Sequence, residues 1–202
     1  MQYNTKETDE TVLYKLLTGT ILPRPIGWIA TIDKNGVNNL APFSYFNMVS
    51  SYPPCVMFST RRDNNKNKDT LNNVLHNNEF VVNLVTTDNV EQMNTTSGNF
   101  APDVDEFTVT HLTPIDSVSV KPKRVKESLV NLECEMIHHY FIKDKDENET
   151  ACVVIGEIKI IHIDDSILSE NNRINLDVYK PVARLAGSNY GKIGEIFSIK
   201  RQ

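Results

Sequence analysis

The stretch I-G-W-I-A-T-I-D-K-N-G-V-N-N-L-A-P-F, residues 26–43, carries two β-type runs on either side of Lys34-Asn35-Gly36. β-Branched and aromatic side chains fill 26–33, and such residues suit a pleated, half-buried surface. Asn35 and Gly36 both tolerate positive φ, so a tight hairpin is expected, with its second strand from about Val37 to Phe43.

The same grammar continues downstream. A polar loop with two prolines, Ser50 to Pro54, leads to a short buried strand, Cys55 to Ser59, and Phe80 to Val85 reads as another. Two long strands occupy the carboxyl half. On the first, Leu132, Cys134, Met136, Tyr140 and Ile142 are expected on one face, with Asn131, Glu133 and Glu135 opposite. The turn K-D-K-D-E-N-E, 143–149, leads to the second, Thr150 to Ile163, with a bulge expected at Gly156. Phe197 to Ile199 is expected as a closing strand after a loop-like segment, 179–191.

Helices are few and short. Val12 to Leu17 is an apolar helix or strand ending near Gly19. Leu71, Val74 and Leu75 recur at i, i+3, i+4, predicting a helix with Asp69 or Thr70 as N-cap. Asn89 to Met93 is a second helix, and Pro102, Pro114 and Pro122 break any long element in 97–128. Strands joined by turns, with few helices, predict a mainly β (α+β) antiparallel barrel rather than a βαβ sheet.

With 202 residues and 40% hydrophobic content, a single domain over 1–202 can bury a sizeable core. No Gly/Ser/Pro-rich linker divides it. The net charge of −5 disfavours nucleic acid or an anionic membrane as partner. Cys55, Cys134 and Cys152 lie in apolar runs without CxxC spacing, which reads as buried, reduced thiols. A polar amino terminus and the lack of any 18-residue apolar run predict a cytoplasmic protein with no spanning helix. The sequons at Asn94 and Asn148 then count as chance matches.

GxSxG, HExxH, P-loop and GxGxxG signatures are all missing from the sequence. His138 and His139 are adjacent on a strand, so their rings point to opposite faces and no shared metal is expected. The informative stretch is S-T-R-R-D-N-N-K-N-K-D-T-L-N, 59–72. It sets Arg61, Arg62, Lys66 and Lys68 just before a predicted helix start, where backbone N–H groups and the Thr70 hydroxyl favour a phosphate. A solvated basic loop is the competing reading of that spacing. A-P-F-S-Y-F-N, 41–47, offers donors and aromatic faces suited to a flat heterocycle. Its competing reading is a plain loop whose Tyr45 and Phe46 cover the core.

Taken in order, P-R-P-I-G-W-I-A-T (23–31), N-L-A-P-F-S-Y-F-N-M-V-S-S-Y-P-P (39–54), K-D-T-L (68–71), F-V-V-N-L-V (80–85), V-V-I-G-E-I (153–158) and P-V-A-R-L-A-G-S-N-Y-G (181–191) resemble the flavin reductase-like family. The resemblance runs from about residue 10 to residue 200. It implies a six-stranded antiparallel Greek-key FMN-binding split barrel with short flanking helices, and a homodimer with FMN near the subunit interface. Carried over, Ser44, Tyr45, Phe46 and Asn47 line the isoalloxazine and ribityl chain. Ser59, Thr60, Arg61, Lys68 and Thr70 hold the phosphate, and Arg184, Gly187, Asn189 and Tyr190 lie near the ring. The tail reads A-G-S-N-Y where the family often has G-G-S-x-Y, which leaves its contacts open.

The implied activity is that of an NAD(P)H-dependent flavin reductase or a flavoredoxin-type electron carrier, with NAD(P)H as transient substrate and a monooxygenase or other acceptor as partner. The flavin supplies the redox chemistry, so no catalytic acid or base is named. A non-catalytic FMN-binding module, a pyridoxamine-phosphate-oxidase-like enzyme and a β-barrel nucleic-acid binder are the alternatives.

Overall fold

The computed structural model describes residues 1–62 and 66–200. Asp63 to Asn65 of the basic loop and the last two residues lie outside the described residues. Seven strands form the main sheet: β1 (Gly27–Ile32), β2 (Asn38–Phe43), β3 (Phe46–Ser51), β4 (Pro54–Arg61), β5 (Glu79–Leu84), β6 (Val130–Lys143) and β7 (Glu149–Ile163). Their spatial order is β2-β1-β5-β6-β7-β4-β3, and each neighbouring pair is antiparallel.

Six strands were expected and seven are found. The two edge strands, β2 and β3, follow each other in the chain and are interrupted only at Ser44-Tyr45. Counted as one bent strand, they restore six, yet the hydrogen-bond ladder does not close there. At this seam the Ser59 N–H of β4 donates to the Tyr45 carbonyl at 2.8 Å, carrying the β3–β4 register one residue past Phe46. The barrel is split where the aromatic A-P-F-S-Y-F-N stretch turns its corner.

β1 is buried on both faces, because two cores flank it. Ile29 packs inside the barrel with Phe58, Phe80 and Val154. Trp28 and Ala30 face the other way, into a core with Val81, Met93 and Phe107. The Trp28 Nε1–H donates to Thr96 Oγ1 at 2.9 Å, satisfying the one polar atom of that buried ring. The first hairpin is looser than expected. Only Gly36 has positive φ, +88°. The Asp33 N–H donates to the Val37 carbonyl, and the Asp33 carboxylate accepts from the Asn35 and Val37 N–H groups. Aspartate thus shapes a turn that the sequence assigned to Asn-Gly alone.

The long hairpin β6–β7 shifts register between Ile155 and Gly156, where a bulge was expected. The extra residue is Ile137, and it reverses the alternation on β6. Tyr140 (72% exposed) and Ile142 therefore face solvent, while Phe141 packs on the barrel core. A Cβ at Gly156 would come within 2.3 Å of Phe80 Cζ, so the bulge sits where a ring claims the space. Asn131 and Glu133, expected on the polar face, are buried beneath residues 116–125. Glu133 accepts from the Val118 N–H at 2.8 Å, the Ser119 N–H at 2.6 Å and Ser119 Oγ at 2.7 Å, and lies 2.7 Å from His162 Nε2.

Among the described residues five α-helices accompany the strands: α1 (Glu10–Thr20), α2 (Asp69–Asn77), α3 (Val90–Thr95), and the single turns α4 (Glu106–Val109) and α5 (Leu176–Tyr179). The N-cap position of α2 is Lys68, not Asp69 or Thr70, and it makes no side-chain cap bond. The expected loop 179–191 is a hairpin: Val182–Arg184 pairs with both Tyr190–Lys192 and Arg24–Pro25. Residues 197–199 form no strand and stay exposed, Phe197 at 77%. Among the described residues no helix is long and apolar enough to cross a membrane.

Candidate functional site

The seam at Ser44-Tyr45 opens onto a groove of about 320 Å³, within the size range of small-molecule sites. Its floor follows from strand alternation. On β4, Phe58 and Thr60 point into the barrel and are buried, whereas Ser59 and Arg61 turn outward into the groove. Lys68 joins them from the start of α2, and Ser44 and Tyr45 from the seam. The Arg61 guanidinium lies 6.0 Å from the centre of the Tyr14 ring, on α1.

The opposite wall is the tail hairpin. Arg184, Gly187 and Tyr190 all line the groove. The Arg184 guanidinium stacks 4.6 Å over the Tyr190 ring, and Tyr190 donates its hydroxyl proton to Asn94 Oδ1 at 2.8 Å. Gly187 has φ +59°, which glycine adopts without a Cβ penalty. Ala186 is outside the left-handed region, so the change from glycine there leaves the turn intact.

Eight of the thirteen expected residues thus share one groove, and five do not. Phe46 belongs to the barrel core; its ring sits where a Cβ on Gly27 would approach to 2.7 Å. Asn47 lines a separate, mainly apolar groove of about 400 Å³. Thr60 is buried, with its hydroxyl on the Arg61 carbonyl at 3.2 Å. Thr70 is buried and donates to Asn39 Oδ1 at 2.8 Å. Asn189 is exposed, closing the hairpin turn through its backbone.

The sequence reading missed the α1 wall, Tyr14 and Thr18, and the contributions of Asn94 and Ser97, while Arg24 also lines the groove. Arg24 sits in the P-R-P-I-G-W motif, which was the available signal. Its Nη1 donates to the carbonyls of Thr18 (2.8 Å) and Ile21 (3.0 Å), and its Nη2 to Leu185 (2.9 Å). It therefore ties α1 to the tail hairpin. Arg62, the neighbour of Arg61, turns away to Glu149 and the Phe141 ring, the latter at 5.5 Å.

The groove is one-sided in charge. Among the described residues Arg24, Arg61, Lys68 and Arg184 line it, no carboxylate does, and none of the four is in an ion pair. The α2 N-terminus adds N–H groups with no side-chain cap. Hydroxyls, aromatic faces and unpaired cations together suit a planar ring carrying an anionic tail.

Comparisons with known proteins agree with this geometry. The flavin reductase like domain matches residues 18–180. A protein of Aquifex aeolicus, itself uncharacterised, is 44% identical over 193 residues, 95% of each chain. The crystal structure of nitrilotriacetate monooxygenase component B from Bacillus cereus superposes with a TM-score of 0.95 at 35% identity, covering 98% of both chains. Flavoredoxin of Desulfovibrio vulgaris shares the fold, with a TM-score of 0.78 at 20% identity, covering 98% of this chain and 97% of its own. The chain belongs to the flavin reductase-like family of split-barrel flavoproteins.

Proposed function

We propose that this chain binds FMN in the groove and transfers reducing equivalents from NAD(P)H, as a flavin reductase or flavoredoxin-type electron carrier. The observation that carries the reading is the meeting of Ser59 and Arg61, Lys68 at the uncapped start of α2, and the Ser44-Tyr45 seam in one groove. Arg61, Lys68 and the α2 N–H groups would hold the phosphate by charge and hydrogen bonds. Ser44 and Ser59 supply hydroxyls for the polar rim of the ring system, and Tyr14, Phe43 and Tyr45 supply aromatic surface.

When bound, FMN supplies the redox chemistry, accepting a hydride equivalent from reduced nicotinamide and passing electrons to an acceptor. The chain's own work is to bind, orient and shield. Among the described residues the groove is lined by cations, hydroxyls and aromatic rings, with no carboxylate or histidine.

The name of the B. cereus protein, a monooxygenase component, supports an oxygenase as the acceptor. A homodimer is part of the same reading. It is supported by the apolar second groove, lined by Phe46, Val56, Leu84, Leu132 and Ile158, and by the exposed Met48, Tyr52 and Tyr140. Three free, buried cysteines support a reducing, cytoplasmic setting. The test is an absorbance spectrum of the purified protein with its released chromophore identified, followed by NAD(P)H oxidation with added FMN. A flavin spectrum, FMN as chromophore and turnover are expected; a colourless protein that FMN does not bind would overturn the reading.

A further inference from the structure

We propose that Arg184, held in place through Arg24, forms a second oxyanion subsite in the groove, taking a phosphate of the nicotinamide dinucleotide rather than the phosphate of the flavin. The assignment rests on the reading of the groove as a flavin and NAD(P)H site.

FMN carries one phosphate, of about −1.5 to −2 at neutral pH, and Arg61 with Lys68 on the barrel side matches it. Two further guanidinium groups remain, on a different sheet. Arg24 and Arg184 are direct partners in the antiparallel register of that sheet, an arrangement that costs stability when the charges are alike. Among the described residues neither has an acidic partner.

Their hydrogen bonding divides the roles. Arg24 is 8% exposed and spends both terminal nitrogens on backbone carbonyls, while its Nε has no partner among the described residues. It anchors the hairpin through Leu185, next to Arg184, and leaves its positive charge uncompensated. Arg184 is half-buried, and among the described residues it engages only Nη2, with the Gly187 carbonyl at 2.5 Å. Its plane is set by the Tyr190 ring, which Asn94 holds in turn. Among the described residues the second Nη2 proton and the Nε and Nη1 protons on either side of it are left over, and an oriented guanidinium with such a pair presents a fork to two oxygens of one phosphate.

The test is isothermal titration of inorganic pyrophosphate and of NAD⁺ into the protein, with and without saturating FMN. The comparison is between wild type, Arg184→Gln and Arg184→Lys. The expected result is that Arg184→Gln weakens pyrophosphate and NAD⁺ by about tenfold or more and weakens FMN by a clearly smaller factor. Arg184→Lys, which keeps the charge, recovers part of the loss. Pyrophosphate binding that depends on Arg184 without any NAD⁺ binding upholds the subsite and removes the nicotinamide reading. No pyrophosphate binding to the wild type, an effect confined to FMN, NAD⁺ binding that ignores Arg184, or equal loss in the two variants overturns the proposal.

Discussion

Thr70 donates its hydroxyl proton to Asn39 Oδ1 at 2.8 Å, joining the first turn of α2 to the edge strand β2. Asn39 in turn donates from Nδ2 to Glu106 Oε1 at 2.9 Å, and the other Glu106 oxygen accepts the Leu40 N–H at 3.0 Å. Burial pushes the Glu106 carboxyl above its ordinary range, while the bonds from Leu40 and Asn39 oppose the rise. Thr70 is a tie between helix and sheet, although its place in K-D-T-L pointed to a phosphate ligand.

Thr70→Val should therefore cost stability rather than affinity. It leaves the half-buried Asn39 carbonyl to the Thr31 hydroxyl at 3.3 Å and short of one donor, a loss of about 1 kcal/mol. FMN affinity should change by less than about threefold. Urea unfolding without ligand and an FMN titration check both halves. A tenfold loss of FMN affinity with unchanged stability would show that the hydroxyl reaches the phosphate after all.

Arg61 and Arg62 should behave as opposites. Arg61→Ala removes a groove cation and should weaken FMN by about 1.5–3 kcal/mol, with little effect on unfolding. Arg62 is tied to Glu149 and Phe141 on the other side of the chain. Arg62→Ala should lower the unfolding midpoint and leave FMN affinity within about threefold. Equal losses of FMN affinity would make the loop a diffuse positive field.

Much of this was legible because strands alternate. The same rule that puts Ser59 and Arg61 in the groove excludes Thr60, so that residue's placement among the ligands went against information the sequence held. The reversal on β6 was not legible. It depends on Ile137 as an extra residue and on the Phe80 ring filling the space beside Gly156, contacts between segments far apart in the chain. Tyr14 and Thr18 escaped notice for a similar reason. The Arg24 bonds to α1 and to Leu185, the latter across 161 positions of the chain, join that helix to the tail hairpin.

Gly156→Ala tests the bulge directly. The added methyl would meet Phe80 Cζ at 2.3 Å inside the barrel core, and overpacking of this kind costs roughly 1–3 kcal/mol. Phe80→Leu in the same chain should recover part of that loss, so the double variant should be more stable than the sum of the singles predicts. Thermal unfolding of the four proteins measures it, and strict additivity would show that the two positions do not press on each other.

Glu133 gives the fold a pH signature. Burial alone would raise its carboxyl, but bonds from the Val118 N–H, Ser119 and His162 outweigh that and hold it at about 2. Arg124 Nε lies 3.8 Å away and adds attraction. With the folded value below the usual 4.5, its contribution to stability is fully present above about pH 4.5 and is lost as pH falls through about 2. Glu133→Gln removes this dependence. The difference in urea midpoint between wild type and variant should shrink steadily from pH 5 to pH 2. A constant difference would mean that the carboxylate charge contributes nothing.

The central claim is that the groove recognises a flavin through its phosphate, and the most direct measurement is the affinity ratio of FMN to riboflavin for one purified protein. Both ligands carry the same ring and ribityl chain, so the ratio isolates the subsite formed by Arg61, Lys68 and the start of α2. FMN should bind at least about tenfold more tightly, as expected for one or two charge-assisted hydrogen bonds. In Lys68→Ala that preference should shrink because FMN weakens while riboflavin does not. Equal affinities in the wild-type protein would contradict the account.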